Sequence, residues 1–384
     1  MKVLITGANG FIGRNLQLRL REYPHLDVVT LTRAHPPEAL TSLVSGVDFV
    51  FHLAGVNRPQ EPQEFIEGNV DLTRQLCAAL TREFGKTNKH IPMIYSSSTQ
   101  AALSNDYGAT KHQAEKMLIE SYGTSGREAL HIFRLPNVFG KWCRPHYNSA
   151  VATFCYNISR DLPVHIHNAS AAMTLVYIDD VLDQFIDCMH GNAVKKDDQG
   201  YAVVKPEYSM TVGELETLIR SFRESRNTLE TERVGAGLKR ALYATYVSYL
   251  PIEAFSYPVQ KHEDPRGMFV EMLKTPDCGQ FSFFTAYPGI TRGGHYHHSK
   301  TEKFLVIKGH ALFRFKHMQT DELYELKTSG QHPQIVETIP GWAHDITNIG
   351  EEDMVVMLWA NEKFEKQRPD TISYPMGTVA GKNK

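Results

Sequence analysis

Tyr107 and Lys111 are spaced so that, on a helix, a phenol and an ammonium share one face. A lone phenol ionises near pH 10 and moves protons poorly at neutrality, whereas a neighbouring cation favours the phenolate. The pair therefore suits proton transfer at a carbonyl or alcohol oxygen. Ser96, Ser97 and Ser98 close an apolar run upstream and can offer a hydroxyl to that oxygen. A second constellation is Gly7, Gly10 and Gly13 in TGANGFIG, after a short β-rich run and opening an amphipathic one. There one glycine makes the turn, one admits a pyrophosphate to the backbone, and one lets helix pack on strand. The phosphates rest on the free N–H groups of the helix N-terminus. A third is His295-x-His297-(x4)-Glu302, flanked by Gly289 and Gly309, with His344 further on. Alternate residues of a strand share a face, so His295 and His297 can aim at one point, to which Glu302 returns after a turn. Three imidazoles and a carboxylate suit zinc or another divalent transition metal.

A dinucleotide site that accepts a free ribose places Asp or Glu at the end of its second strand. Here the residues are Leu31-Thr32-Arg33-Ala34-His35, without a carboxylate. Arg33 can pair a 2′-phosphate, so the expected cofactor is NADPH rather than NADH.

These residues need elements to hold them. Val3 to Thr6, Val28 to Leu31, Val47 to Gly55, Pro92 to Ser98 and Leu130 to Pro136 read as strands. Phe11 to Arg21, Glu64 to Phe84 and Tyr107 to Tyr122 read as helices between them. Alternation with near-continuous apolar strands predicts a doubly wound, Rossmann-type parallel α/β sheet. Beyond Pro251 strands dominate: MFVEML, QFSFFTAY, EKFLVIKG, HALFRFKH, YELKT and MVVMLWA. HALFRFKH alternates like a strand with one buried face, and the set predicts an all-β sandwich or barrel. The expected division is 1–250, with 140–250 supplying most of a substrate subdomain, and 251–384.

The 384 residues exceed one compact core. A net charge of -2 gives no bulk case for nucleic acid or an anionic membrane. No window reaches the roughly 20 apolar residues of a bilayer span. Cys77, Cys143, Cys155, Cys188 and Cys278 are scattered and lack a C-x-x-C pair. They read as free thiols of a reducing cytoplasm.

TGANGFIG, HLAG (His52 to Gly55), SSS, YGATK, RLPNVFG (Arg134 to Gly140) and YIDDV (Tyr177 to Val181) fall in the order and spacing of the extended short-chain dehydrogenase/reductase family. The resemblance covers about residues 1 to 250. It implies a nicotinamide cofactor at Gly7, Gly10, Phe11, Ile12, Gly13, Leu53, Ala54 and Gly55, beside the Arg33 already noted. It makes Tyr107 the proton donor, puts Lys111 on the nicotinamide ribose, and has Ser98 orient the substrate carbonyl. Asn137 stands where members contact a nucleotide-sugar diphosphate, and Lys141, Arg144 and Asn148 are candidates for the same group. Where members often carry Arg before the YIDDV-type motif, this chain has Met173.

Residues 251 to 370 resemble the cupin superfamily, a jelly-roll barrel. The first cupin motif fits; in the second, the usual Pro-x-Gly reads Ile339-Pro340-Gly341. Asp264-Pro-Arg266-Gly267 and Thr291 to Tyr296 also resemble the sugar-nucleotide 3,5-epimerases of the rhamnose pathway. In those cupins the histidine matching His295 is a base, no metal is used, and no histidine matches His297. His295 thus stands open between ligand and base, and Arg266 and Arg292 are candidate substrate contacts. His298 and Lys303 are candidate acids or bases, Lys303 equally a surface residue.

The fusion, with Phe139 to Ile158 at its junction, resembles the bifunctional reductase/epimerase family of capsular polysaccharide biosynthesis in the UDP-N-acetyl-L-fucosamine pathway. That resemblance implies a cytoplasmic homodimer acting on a UDP-linked deoxy-amino-ketosugar, without nucleic acid or membrane insertion. The cupin would epimerise carbon 3 of a UDP-2-acetamido-2,6-dideoxy-4-hexulose. The reductase would then reduce the 4-ketone to UDP-N-acetyl-6-deoxy-L-talosamine. The order follows from chemistry: the ketone acidifies the neighbouring C–H, and its reduction traps the inverted centre. The alternatives are a reductase with a structural, dimerising metal-bound cupin, and a non-catalytic NADPH/sugar-nucleotide sensor.

Overall fold

The computed structural model describes residues 1–36, 39–264, 267–270, 272–273, 275, 279–362, 367 and 369–377. The chain forms two compact units, Met1–Ser149 with Ala172–Met210, and Ala150–Ala171 with Thr211–Lys384. The 250/251 boundary expected from sequence lies inside the second unit, and the segment 140–250 is shared between the two.

The first unit is built on a parallel sheet of β1 (Lys2–Thr6), β2 (Asp27–Leu31), β3 (Phe49–His52), β4 (Met93–Ser98) and β5 (Leu130–Leu135), in the order β2-β1-β3-β4-β5. Val3, Leu4, Ile5, Val50 and Phe51 have no exposed surface, as a sheet covered on both faces requires. β3 stops at His52, short of the expected Gly55. β1 ends at Thr6, whose carbonyl takes the last ladder bond from Leu53 N and whose hydroxyl accepts from Ala54 N, holding this segment beside the first glycine turn.

The expected helix over 64–84 is instead Gln63–Phe65, a π-turn Ile66–Asp71 and the α-helix Leu72–Thr87. Buried Asn69 explains the wide turn. Its side chain accepts from Val56 N at 2.8 Å and donates to Val56 O at 2.9 Å, a two-way lock that a regular α-turn would misplace. The helix Asp106–Tyr122 starts where Asn105 Oδ1 accepts from Gly108 N at 2.8 Å and ends at Gly123 with φ +57°. No helix among the described residues is long and apolar enough to cross a membrane.

The second unit holds two five-stranded antiparallel sheets. One runs Gln280–Ala286, Met354–Ala360, Glu302–Lys308, Gln334–Glu337, Ser256–Pro258 in spatial order. The other runs Leu323–Ser329, His310–His317, Trp342–Asn348, Thr291–Tyr296, Ile372–Ser373. This is the expected cupin-like all-β arrangement, joined in its unit by the helices Ala150–Ile158, Val212–Thr228 and Gly237–Val247. His310–His317 does not show a solvent face: residues 311–315 are all buried. It is a central strand, and Arg314 is neutralised by Asp345 on the next strand, with Nε donating to Oδ1 at 2.9 Å.

Lys303 is neither a surface residue nor a free base. It is 2% exposed, bonded to Tyr257 Oη at 2.9 Å and paired with Glu337, which also pairs with Arg226 of the helix Val212–Thr228. Burial opposes its charge, but Glu337 overrides that and raises the Lys303 pKa. A buried ion cluster persists only when each member is partnered in this way.

Candidate active site and metal centre

The glycine turn in the first unit is dictated by contact. Gly7 has φ +71°, and a Cβ there would lie 2.6 Å from Ala54 N. A Cβ on Gly13 would overlap the Gly7 carbonyl oxygen, so the helix could not sit so close to β1. Gly10 begins the helix Phe11–Leu20 without a side-chain cap, leaving amide donors for an anion. Beside the turn is a cavity of about 750 Å³ whose wall includes Gly7, Gly10, Arg33, Leu53, Ala54 and Gly55. That size and the backbone cradle fit an extended dinucleotide. Arg33 is exposed on this wall. Of the other expected cofactor residues, Phe11 and Ile12 are half-buried, and Gly13 acts through the packing just described. The wall also bears Glu64, unforeseen from sequence, whose Oε1 accepts from the amides of Gln60 and Glu61.

β4 and the helix Asp106–Tyr122 bring Ser98, Tyr107 and Lys111 together. Lys111 is 3% exposed, donates to Ser96 O at 2.7 Å and lies 4.3 Å from the centre of the Tyr95 ring. Its Nζ is 3.6 Å from where a Cβ on Gly55 would stand, which puts it next to the cavity wall. Burial pushes its pKa down to about 7, partly opposed by Glu115. Tyr107 is half-buried and hydrogen-bonded to Ser98. Its pKa is not lowered as the spacing suggested: burial raises it, the Ser98 hydroxyl counteracts, and Tyr147 adds to the rise. The cation meant to depress it is itself partly discharged and directed at a carbonyl.

Below this pair lies a network that the motif reading did not single out. Glu115 is fully buried and accepts from Ser97 Oγ at 2.5 Å and from Arg134 Nε and Nη2 at 3.0 and 2.7 Å. The spacing Tyr107, Lys111, Glu115 repeats every fourth residue, a signal that places all three on one helix face. His52 of the HLAG segment is likewise buried, between Thr6 Oγ1 at 2.7 Å and Thr73 Oγ1 at 2.9 Å; burial, then Lys111, push its pKa to about 3.

The expected substrate contacts diverge. Asn137, Arg144 and Asn148 are exposed, with Asn137 Nδ2 donating to Thr174 O at 3.0 Å. Lys141 is 1% exposed and paired with Asp179 at 3.1 Å, which makes it a structural ion pair rather than an open phosphate ligand. Tyr147, not anticipated, donates from its hydroxyl to Arg58 O at 3.4 Å in the same region. In the second unit Arg292 is exposed and donates to Thr285 O at 3.1 Å, whereas Arg266 lies outside the described residues.

His295, His297, Glu302 and His344 meet between the two sheets, with one ligand atom from each lying within 4.8 Å of the others. Register explains it. A bulge at Gly293 and Gly294, both with positive φ, sets His295 directly opposite His344, and His297 follows two residues on. Glu302 begins the middle strand of the facing sheet, its Oε2 3.1 Å from His297 Nε2 and 3.5 Å from His344 Nε2. Among the described residues, buried His344 Nδ1 has no hydrogen-bond partner, and its Nε2 has only the long approach to Glu302. His297 Nδ1 bonds to the Asp370 carbonyl at 2.5 Å; a carbonyl only accepts, so Nδ1 carries the proton. Nε2 then faces the Glu302 oxygen either as the N–H of an imidazolium or, in a neutral ring, as a lone pair that a cation between them would satisfy. Burial would raise the Glu302 pKa, but His297 and its neighbours hold it well below the usual range. Burial pushes His295 down to about 3, so its imidazole is neutral at pH 7, fit for a ligand or a base. The donor set suits zinc. His298, the other candidate base, is 4% exposed and packs edge-on to Tyr296.

Residues 3–200 match the NAD dependent epimerase/dehydratase family, and residues 262–372 match the polysaccharide biosynthesis C-terminal domain. A UDP-2-acetamido-2,6-beta-L-arabino-hexul-4-ose reductase of Pseudomonas aeruginosa PA103 is 57% identical over 383 residues, 99% of this chain and 100% of that protein. The crystal structure of the capsular polysaccharide assembling protein CapF from Staphylococcus aureus is similar with a TM-score of 0.67 and 38% identity, over 98% of this chain and 100% of that one. The spore coat polysaccharide biosynthesis protein SpsL of Bacillus subtilis is 24% identical over 131 residues, 30% of this chain and 84% of its own. With a parallel nucleotide-binding fold, a serine-tyrosine-lysine site and end-to-end similarity to the Pseudomonas reductase and to CapF, the chain belongs to the NAD-dependent epimerase/dehydratase family, with a polysaccharide-biosynthesis C-terminal domain.

Proposed function

We propose that the protein reduces the ketone of a UDP-linked 4-keto sugar with NADPH, after epimerising the adjacent carbon 3 in its C-terminal domain. The observation that carries the reductive half is Ser98, Tyr107 and Lys111 assembled next to a cavity walled by the glycine turn. The 57% identical reductase supplies the substrate class. In this reading the reductase occupies 1–250 and the epimerase 251–384, the substrate is UDP-2-acetamido-2,6-dideoxy-4-hexulose after epimerisation, and the product is UDP-N-acetyl-6-deoxy-L-talosamine.

Bound NADPH supplies the hydride. The protein's part is to hold and polarise the ketone. The Ser98 and Tyr107 hydroxyls converge on its oxygen, and Tyr107, kept protonated by burial, delivers the proton as the alkoxide forms. Lys111 would hold the ribose hydroxyls, and Arg33 on the cavity wall would pair the 2′-phosphate. In the C-terminal domain, His297, Glu302, His344 and His295 would hold zinc, and the Lewis acidity it would supply suits polarising a ketone and acidifying the neighbouring C–H. A cytoplasmic homodimer completes the proposal.

Incubation with the 4-hexulose in deuterated water, with and without NADPH, tests it. Deuterium at carbon 3 without NADPH is expected. Reduction without any exchange would leave a single-activity reductase with a structural metal.

A further inference from the structure

The metal ligands all come from residues 295–344, yet the segment that holds them in place arrives from much later in the chain. The short strand Ile372–Ser373 pairs with the ligand strand, Ser373 opposite His295 and Ile372 opposite Tyr296, and Tyr374 N donates to Gly294 O at 2.7 Å. Further on, Arg314 donates to Gly377 O at 2.9 Å. The tightest junction is at Asp370. Its carboxylate accepts from three consecutive amides, His298 N at 2.8 Å and Ser299 N and Lys300 N at 2.7 Å each, and from Ser299 Oγ at 3.2 Å. Those are the residues of the turn between His297 and Glu302. The Asp370 main-chain carbonyl meets His297 Nδ1. Next to it, Thr371 Oγ1 accepts from Lys300 Nζ at 2.9 Å, and the same ammonium lies 3.2 Å from Glu302 Oε1, the carboxylate oxygen turned away from the histidines.

We infer that Asp370 is a positioning residue of the metal centre, and that residues 369–377 form a strap built into it. The strap fixes the backbone at His295, the tautomer and ring orientation of His297 and, through Lys300, the rotamer of Glu302. The carboxylate and carbonyl of Asp370 do different work. The carboxylate ties the strap to the 298–300 turn, and the tie delivers the carbonyl to the imidazole, so that Nδ1 keeps its proton and Nε2 presents its lone pair. A partner that orients a ligand histidine in this way typically contributes about 10–100-fold in metal affinity. The inference rests on the metal reading of the four ligands.

The test uses the full chain as wild type, Asp370→Ala and Asp370→Asn, each stripped of metal. Zinc affinity is read by competition with a chromophoric chelator, and coordination by the visible spectrum of the cobalt(II)-loaded protein. Wild type is expected to take one ion per chain. Asp370→Ala should bind about 10–100-fold more weakly, with an altered cobalt spectrum even at saturation. Asp370→Asn retains the carbonyl but sets an amide NH2 against amide donors, so it should fall between them. The metal-free melting temperature and NADPH binding report folding, and Asp370→Asn decides the matter if the alanine variant does not fold. Wild type binding no ion would overturn the metal reading and this inference with it. Wild type binding one ion, with both variants matching it in affinity and spectrum, would overturn the inference alone.

Discussion

Raising the pH is expected to weaken productive capture of NADPH long before it touches the phenol. Lys111 is buried, donates to a backbone carbonyl, and has its pKa pushed down to about 7 by burial, against partial compensation from Glu115. Its ammonium form then makes up about half the population at pH 7, about a tenth at pH 8 and about a hundredth at pH 9. Because kcat/KM reports ionisations of the free enzyme, its value for NADPH should fall roughly tenfold per unit above pH 7, to about a hundredth at pH 9. Tyr107 adds no second fall below pH 10, since burial holds it above its ordinary value. The assay is steady-state reduction at saturating ketosugar, from about pH 6 to about pH 9.5, with the cofactor Kd followed in parallel.

Two variants assign the descent to this lysine. Lys111→Arg keeps its charge throughout, so the descent disappears even if the rate is lower. Glu115→Gln removes the charge that supports the ammonium, so the descent moves to lower pH. A wild-type profile flat to pH 9, or one unchanged in Lys111→Arg, would refute the reasoning. Stability moves the other way. Between about 7 and the ordinary lysine value the unfolded chain binds the extra proton, so the Lys111 contribution to stability rises with pH over that window, with an upper bound of about 5 kcal/mol for the full shift.

Tyr107→Phe should lower ketone reduction by about 10²–10⁴-fold while NADPH binding, read by fluorescence, is retained. Gly13→Ala puts a methyl against the Gly7 carbonyl, and calorimetric titration should show NADPH binding lost or severely weakened in a chain that still folds. Arg33→Ala should cost affinity for NADPH and leave NADH little changed, so the ratio of the two kcat/KM values is the readout. Zinc at about 100 times its Kd should add about 2.7 kcal/mol, a rise of roughly 5–11 °C in the melting of the second unit, that Glu302→Gln abolishes.

Much of this was legible in the sequence where a short-range rule applied. β1, β3 and β4 are buried along nearly their whole length, so they read as apolar runs, and the glycine turn follows the first of them at once. His295 and His297 share a face by the period of a strand. What was not legible depends on partners far along the chain. The expected helix over 64–84 contains a π-turn because Asn69 must reach Val56. His310–His317 looked half-exposed because the partner of Arg314 is Asp345, on another strand. Asp370 belongs to no motif, and only the pairing of Ile372–Ser373 with the ligand strand brings it to His297.

Three lysines show why residue type and motif alone do not settle function. Lys111, Lys141 and Lys303 are each at most 3% exposed. Lys141 lies against Asp179 and Lys303 against Glu337. A buried ammonium with a carboxylate of its own is held in a structural pair, and removing either partner strands a charge. Lys111 forms no salt bridge among the described residues, because the oxygens of its nearby carboxylate, Glu115, are occupied by Ser97, Arg134 and His112. Arg134 neutralises Glu115 and leaves Lys111 with a carbonyl, a tyrosine ring and a pKa of about 7. A cation so incompletely satisfied is costly to bury, and in the proposed function a ligand's hydroxyls would complete its coordination. Of the three, Lys111 alone stands at Gly55 on the wall of the cavity where such a ligand would lie.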